Sequence, residues 1–160
     1  MSDQILATIL SNTYTLTQLK HRVNLLKTYL LSRLFSPSNQ ETFSQSDVKW
    51  LQLLPAAFFN QFDKDNVYQL FEEIHKKIES LRVLTLYLTF DPDEEALSQI
   101  GGYVRTNFPN IQLLDIKFDP NLIAGAALSS GGVYKDYSLR TKINERKAVI
   151  LDNFKKFLLR

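Results

Sequence analysis

The chain has 160 residues, 44% hydrophobic and 22% charged, which is close to the globular average and predicts a packed core rather than disorder. It contains no cysteine, so disulfides, thiolate catalysis and zinc sites with cysteine ligands are excluded. No stretch approaches the ~20 apolar residues that span a bilayer, and the first residues lack the basic region of a signal peptide. We therefore expect a soluble chain.

The first 81 residues predict helices only. In the segment from about 15 to 35, apolar residues recur at alternating steps of three and four, which is typical of a helix that packs against another helix. Residues 36–39 (SPSN) end that helix, a short helix begins near Ser46, and the turn at residues 63–66 precedes a last amphipathic helix. Four or five helices of this kind predict a compact bundle. The stripe expected inside it comprises Leu16, Leu19, Val23, Leu26 and Leu30.

Near Arg82 the pattern changes from helical to extended. Residues 83–90 are rich in β-branched and aromatic side chains and predict a strand. A helix should follow to about Asn107, with Asp91 at its N-cap, Pro92 at its first position and Glu94 completing a capping box. Two glycines inside it, at 101–102, should each cost ~1 kcal/mol relative to alanine, so we expect a close contact between this helix and the sheet.

The remaining segments complete a small mixed domain. Residues 111–118 and 122–130 predict strands separated by a turn at 119–121, and residues 131–132 predict a hairpin into a short fourth strand. A terminal helix follows, with its apolar residues at core spacing. The order is β-α-β-β-β-α. The fold class is therefore α+β, with an all-α bundle over residues 1–81 and a small α+β domain over residues 82–160.

Residue types that carry catalysis are not arranged for it. His21 and His75 have no metal-ligand spacing, and the turn at 63–66 lacks the glycine and distal glutamate of a calcium loop. The acidic run 93–95 is explained by its place in the first turn of a helix. No Lys-Ser/Thr follows the glycine pair at 131–132, so it is not a phosphate loop. We predict no catalytic, cofactor or metal site, and no ATP binding by the chain alone.

Charge is unevenly distributed along the chain. The net +2 divides into +3 over residues 1–35, −6 over 36–134 and +5 over 135–160. A basic tail can bind nucleic acid or an acidic lipid surface. The simpler interpretation is a solvated helix face or a contact with an acidic protein partner. The aromatic residues of the tail helix, Phe154 and Phe157, lie at core spacing, which favours the simpler interpretation.

Three features carry a family resemblance: the alternating strand at residues 83–90 with the acidic start of the helix after it, followed by two short segments. Residues 119–125 are DPNLIAG, which is similar to the D-P-x-L-I-G-G motif of the delta subunit of F-type ATP synthases, called OSCP in mitochondria. Residues 136–139 are DYSL, which is similar to that family's D-x-S-hydrophobic step into the final helix. Ala124 replaces the first family glycine, and the family's N-terminal Y-A-x-A-L run is absent. The matching positions are Asp119, Pro120, Leu122, Ile123, Gly125, Asp136, Ser138 and Leu139.

The residue types at these positions predict structural roles. Asp119 and Pro120 should form a turn, and Gly125 should lie in a strand of small residues where another backbone or helix approaches. Gly125→Val should then destabilise the fold by ~1–3 kcal/mol through overpacking. Asp136 and Ser138 should satisfy free N–H groups at the start of the last helix.

The resemblance implies a mechanical function. In this family the helical domain binds the alpha and beta subunits of the catalytic head, and the C-terminal domain binds the C-terminal end of the stalk subunit b. We expect a helix laid in a groove at both contacts. The chain would be a non-catalytic stator connector without a cofactor, at the cytoplasmic face of the membrane but associated with the membrane only indirectly.

Other functions are possible on the sequence alone. The nearest alternative is a stalk subunit of an archaeal or vacuolar-type ATPase, against which the D-x-S step argues. A nucleic-acid-binding or general protein-interaction adaptor, acting through the basic terminal helix, is the alternative of a different class. Steep salt dependence of binding would indicate phosphate contacts and so separate this class from helix-in-groove binding.

Overall fold

The computed structural model describes residues 1–35 and 42–158 and has an α+β fold. Its helices are α1 (Ser2–Ser11), α2 (Leu16–Phe35), α3 (Gln45–Leu53), α4 (Ala56–Phe59), α5 (Val67–Ser80), α6 (Glu94–Asn107), α7 (Leu139–Glu145) and α8 (Lys147–Leu158). Its strands are β1 (Val83–Leu88), β2 (Leu113–Phe118), β3 (Ala126–Ser130) and β4 (Val133–Asp136), and a 3-10 turn covers Pro120–Leu122. The helix end predicted at residues 36–39 lies outside the described residues.

Helices α1 to α5 form the predicted bundle. The stripe on α2 is internal, because Leu19, Val23, Leu26 and Leu30 are at most 2% exposed. Helix α3 begins at Gln45, one residue before the predicted Ser46, since the Ser44 hydroxyl at the N-cap accepts a hydrogen bond from the backbone N–H of Asp47. The apolar face of α2 is therefore buried in the bundle core.

The four-stranded sheet has the order β2-β1-β3-β4. Strands β1 and β2 are parallel and joined through α6, whereas β3 and β4 form an antiparallel hairpin beside β1. Leu84 on β1, Leu114 on β2 and Val104 on α6 make a small core between the helix and one face of the sheet. The predicted hairpin is confirmed, with positive φ angles at Gly131 and Gly132.

Several predicted boundaries are wrong. Strand β1 ends at Leu88 rather than at residue 90, and β2 begins at Leu113 rather than at residue 111. The N-cap of α6 is Asp93 rather than Asp91, because its carboxylate accepts the N–H of Ala96 at 2.8 Å. Glu94 is then the first helical residue and completes no capping box. The third strand begins at Ala126 rather than at residue 122. Residues 120–122 instead close a 3-10 turn, and Ile123 follows with a φ of 69° that no regular strand accommodates.

The bundle and the sheet are joined through the loop between α1 and α2. The N–H of Leu114 donates to the Tyr14 carbonyl at 2.9 Å, and Thr15 forms a parallel bridge with Leu114, so this loop extends the sheet beyond β2. Leu113, the preceding residue of β2, is 1% exposed within the bundle core. The sheet therefore contributes directly to the packing of the helices.

Arg105 on α6 fixes this connection. Its guanidinium donates to the carbonyls of Leu10 and Thr13 and lies 5.0 Å from the centre of the Tyr14 ring. Gly101, one turn earlier, is buried beneath the same ring. The close contact predicted at the glycine pair thus exists, but the partner is Tyr14 rather than the sheet, and Gly102 has open space around it.

Candidate functional site

The turn after β2 is built as its residue types predict. The Asp119 carboxylate accepts a hydrogen bond from the N–H of Asn121 at 3.0 Å, and the backbone N–H of Asp119 donates to the Leu88 carbonyl at 2.8 Å. Pro120 occupies the first position of the 3-10 turn, where its fixed φ is favourable and no N–H is needed. Leu122 is fully buried below it, whereas Ile123 is exposed.

The two motif-like segments meet at Gly125. A Cβ built on Gly125 would lie 2.8 Å from the Tyr137 carbonyl oxygen, so the predicted close approach of a second backbone is confirmed. The glycine lies before β3, in a bend with a φ of 85°, and not within the strand itself. Next to it, the N–H of Leu139 donates to the Ala124 carbonyl at 2.8 Å. Residues 119–125 and 136–139 therefore form one structural unit, which we call the helix joint.

Asp136 and Ser138 satisfy N–H groups at the start of α7, as predicted. The fully buried Ser138 is the N-cap of α7, and its hydroxyl accepts the N–H of Thr141 at 3.3 Å. Asp136 accepts the N–H of Ser138 at 2.8 Å. Hydrogen bonds from the hydroxyl and the backbone N–H of Ser138 lower the pKa of the Asp136 carboxyl. The helix joint thus stabilises the ionised form of Asp136.

We predict that Asp136 makes stability depend on pH. Because its folded pKa lies below the unfolded value of about 3.9, its stabilising contribution is present above that value and is lost as the pH falls through the folded pKa. Asp136→Asn should be less stable than the native chain at neutral pH, and the gap should close below about pH 4. Urea denaturation followed by circular dichroism at both pH values measures this. A gap of equal size at both would contradict the role of the ionised carboxylate.

Helices α7 and α8 leave the helix joint without entering a core. The prediction that the terminal helix has core-facing residues is wrong, because neither helix contains a buried hydrophobic residue. Leu139 and Ile143 on α7 and Ile150, Phe154 and Leu158 on α8 are all exposed. The basic character of this segment was a sequence signal of its exposure, because lysine and arginine are seldom found in buried helices.

A second apolar surface lies on the sheet beside α6. It is an open groove of about 550 Å³ over β1, β3 and β4, on the half of the sheet face that α6 leaves bare. Leu86 and Leu128 form part of its floor, and Tyr103 and Val133 lie at its sides with more than half of their surfaces exposed. The C-terminal part of the chain therefore carries two apolar surfaces suited to contacts with protein.

Both histidines and the aspartate of the turn at residues 63–66 have structural partners. His21 lies 2.8 Å from Asp47 and ties α2 to the start of α3, and His75 contacts the Phe71 carbonyl within its own helix. The Asp63 carboxylate accepts two backbone N–H groups and closes the predicted turn. Over residues 1–35 and 42–158, no cluster of His, Asp and Glu could hold a metal ion. In the same residues, no helix is both long and apolar enough to cross a bilayer.

Comparison with known proteins adds no relative. No protein-family model matches the chain, and no curated protein is significantly similar to it. The likeness to the delta subunit consequently depends on the sequence features alone.

Proposed function

We propose that the chain is a non-catalytic stator connector of a proton-translocating F-type ATP synthase. It would link the catalytic head to the peripheral stalk and so resist the torque of the rotating shaft. Its place would be at the cytoplasmic face of the membrane, held there by its partner subunits.

The observation that carries the proposal is the helix joint. The two segments that resemble the delta-subunit motifs are separated by ten residues, yet they share a backbone hydrogen bond between Leu139 and Ala124 and a close contact at Gly125. This geometry gives both motifs one task, which is to hold the start of an exposed terminal helix. A device of this kind suits a protein whose function is to bind other proteins.

The two halves would bind different partners. The bundle over residues 1–81 would contact N-terminal segments of the alpha subunits, together with the beta subunits, by resemblance to the family. The domain over residues 82–160 would contact the C-terminal end of subunit b. The groove beside α6 and the exposed α7–α8 segment support the second assignment, because each offers apolar surface that an amphipathic helix can cover.

Affinity capture from native membranes tests the proposal. The full chain, tagged and immobilised, should retain the alpha, beta and b subunits of the ATP synthase from detergent-solubilised membranes of the source organism, as identified by mass spectrometry. Retention should weaken only modestly at elevated salt, whereas binding through many phosphate contacts would weaken steeply. Recovery of nucleic acid and none of these subunits would reject the connector in favour of the adaptor alternative.

A further inference from the structure

Helix α8 has an apolar face that no other described part of the chain covers. Phe154 is 62% exposed, and Phe157 and Leu158 are each 78% exposed. A 12-residue helix is only marginally stable in water through its own hydrogen bonds, and most helices in proteins depend on packing of an apolar face. The exposed face therefore indicates a binding surface whose partner is absent from the isolated chain.

The spacing of the apolar residues favours a helical partner. Ile150, Phe154 and Phe157 follow steps of four and three, which is the spacing of a seam between two packed helices. Leu151 and Leu158 are seven residues apart and border the same seam. At 100° per residue these five side chains span an arc of about 120°. We call this arc the α8 seam.

The charged residues in line with and next to the α8 seam are lysines, and its acidic residue lies elsewhere. Lys147 lies in line with the seam in the first turn, and Lys155 lies at its edge, beside Leu151 and Leu158 on the helix surface. Asp152, the acidic residue of α8, lies on the opposite side of the helix and pairs there with Lys156 at 2.7 Å. A partner therefore meets apolar surface with positive charge at its N-terminal end and along one edge.

We infer that the α8 seam pairs with an acidic amphipathic helix of another protein, so that this chain itself supplies one helix of the contact. A second copy of the chain is a poor partner, because its one acidic residue on α8, Asp152, lies away from the seam and brings no carboxylate to Lys147 or Lys155. The identity of the partner as a stalk subunit rests on the proposed function, whereas its chemistry rests on α8 alone.

Designed peptides test the chemistry of the partner. The probe is a synthetic helical peptide of three heptads with leucine along its seam and glutamate at the flanking positions. The matched control peptide has the same seam with lysine at the flanks. The full chain should bind the glutamate peptide at least tenfold more tightly in isothermal titration calorimetry. Equal affinity for both peptides, or no binding, would overturn the inference.

Substitutions locate the binding surface and test its charge. Phe154→Glu should lower affinity for the glutamate peptide at least tenfold, whereas Phe118→Glu, at an equally exposed phenylalanine of β2 (63%), should not change it. The double variant Lys147→Glu/Lys155→Glu should prefer the lysine peptide. This reversal of preference could not arise from loss of folding, and its absence would remove the charge argument.

Two further measurements separate the remaining occupants. Sedimentation of the full chain should give a monomer, and flotation with vesicles of phosphatidylcholine and phosphatidylserine should leave it unbound. Dimerisation, or vesicle binding, that is abolished by Phe154→Glu would replace the inference with a second copy or a lipid surface. In the affinity capture from membranes, retention of subunit b by the Phe154→Glu variant would reject the α8 seam as the binding surface while leaving the proposed connector function supported. Binding of the glutamate peptide without capture of any ATP synthase subunit would do the reverse.

Discussion

Gly101→Ala should destabilise the protein by about 2–3 kcal/mol, although alanine is the better helix former. A Cβ at this position would lie 2.8 Å from both Cβ and Cγ of Tyr14, so the tyrosine ring would have to move. That ring stacks on the Arg105 guanidinium, which also binds the carbonyls of Leu10 and Thr13. The substitution would therefore disturb the whole connection between the bundle and the sheet. Urea denaturation monitored by circular dichroism gives the difference.

The adjacent glycine provides the matched control. Gly102 lies in the same helix, and nothing approaches within 4 Å of the Cβ that alanine would add. Gly102→Ala should therefore stabilise the chain by about 0.5–1 kcal/mol through helix propensity alone. If both substitutions stabilised the protein to the same extent, Tyr14 would not pack on α6 as described.

Gly125→Val should destabilise by roughly 2–5 kcal/mol, more than the sequence alone predicts. Overpacking against the Tyr137 carbonyl accounts for about 1–3 kcal/mol, and a positive φ of 85° adds about 1–2 kcal/mol for a residue with a side chain. The clash is with backbone, which cannot swing aside as a side chain would. For a chain of this length each 1 kcal/mol corresponds to roughly 2–4 °C in Tm.

Gly132→Val separates the two contributions. Gly132 has a similar φ of 79° in the hairpin, but the space around it is open. Its substitution should show the conformational penalty without the clash, and so a loss of only about 1–2 kcal/mol. If thermal denaturation gave equal losses of unfolding free energy for the two substitutions, the close approach of Tyr137 to Gly125 would contribute nothing to the effect.

The elements were predictable where one local pattern determined them. The stripe on α2, the alternation of β1, the hairpin at residues 131–132 and the cap at Ser138 each depend on neighbours in sequence. The helix joint could be foreseen in its parts, because aspartate, proline, glycine and serine have strong local preferences at turns and caps.

The features that the sequence did not predict depend on contacts between residues far apart in the chain. Sequence patterns could not predict that Tyr14 would fill the space over Gly101, or that Arg105 would bind the carbonyls of Leu10 and Thr13 around the end of α1. Nor could periodicity distinguish a terminal helix buried in its own domain from one left for a partner, since both need the same amphipathic face. The exposure of Phe154 and Phe157 shows that α8 is not buried in its own domain.

The pairing of Tyr14–Thr15 with β2 has a consequence for solubility at high concentration. An unpaired edge strand is a template for aggregation, and this loop covers part of the β2 edge of the sheet. The opposite edge is β4, which has only four residues and carries Lys135 and Asp136. Short, charged edges discourage intermolecular strand addition. By covering part of the β2 edge, the loop between α1 and α2 therefore also disfavours amyloid-like association.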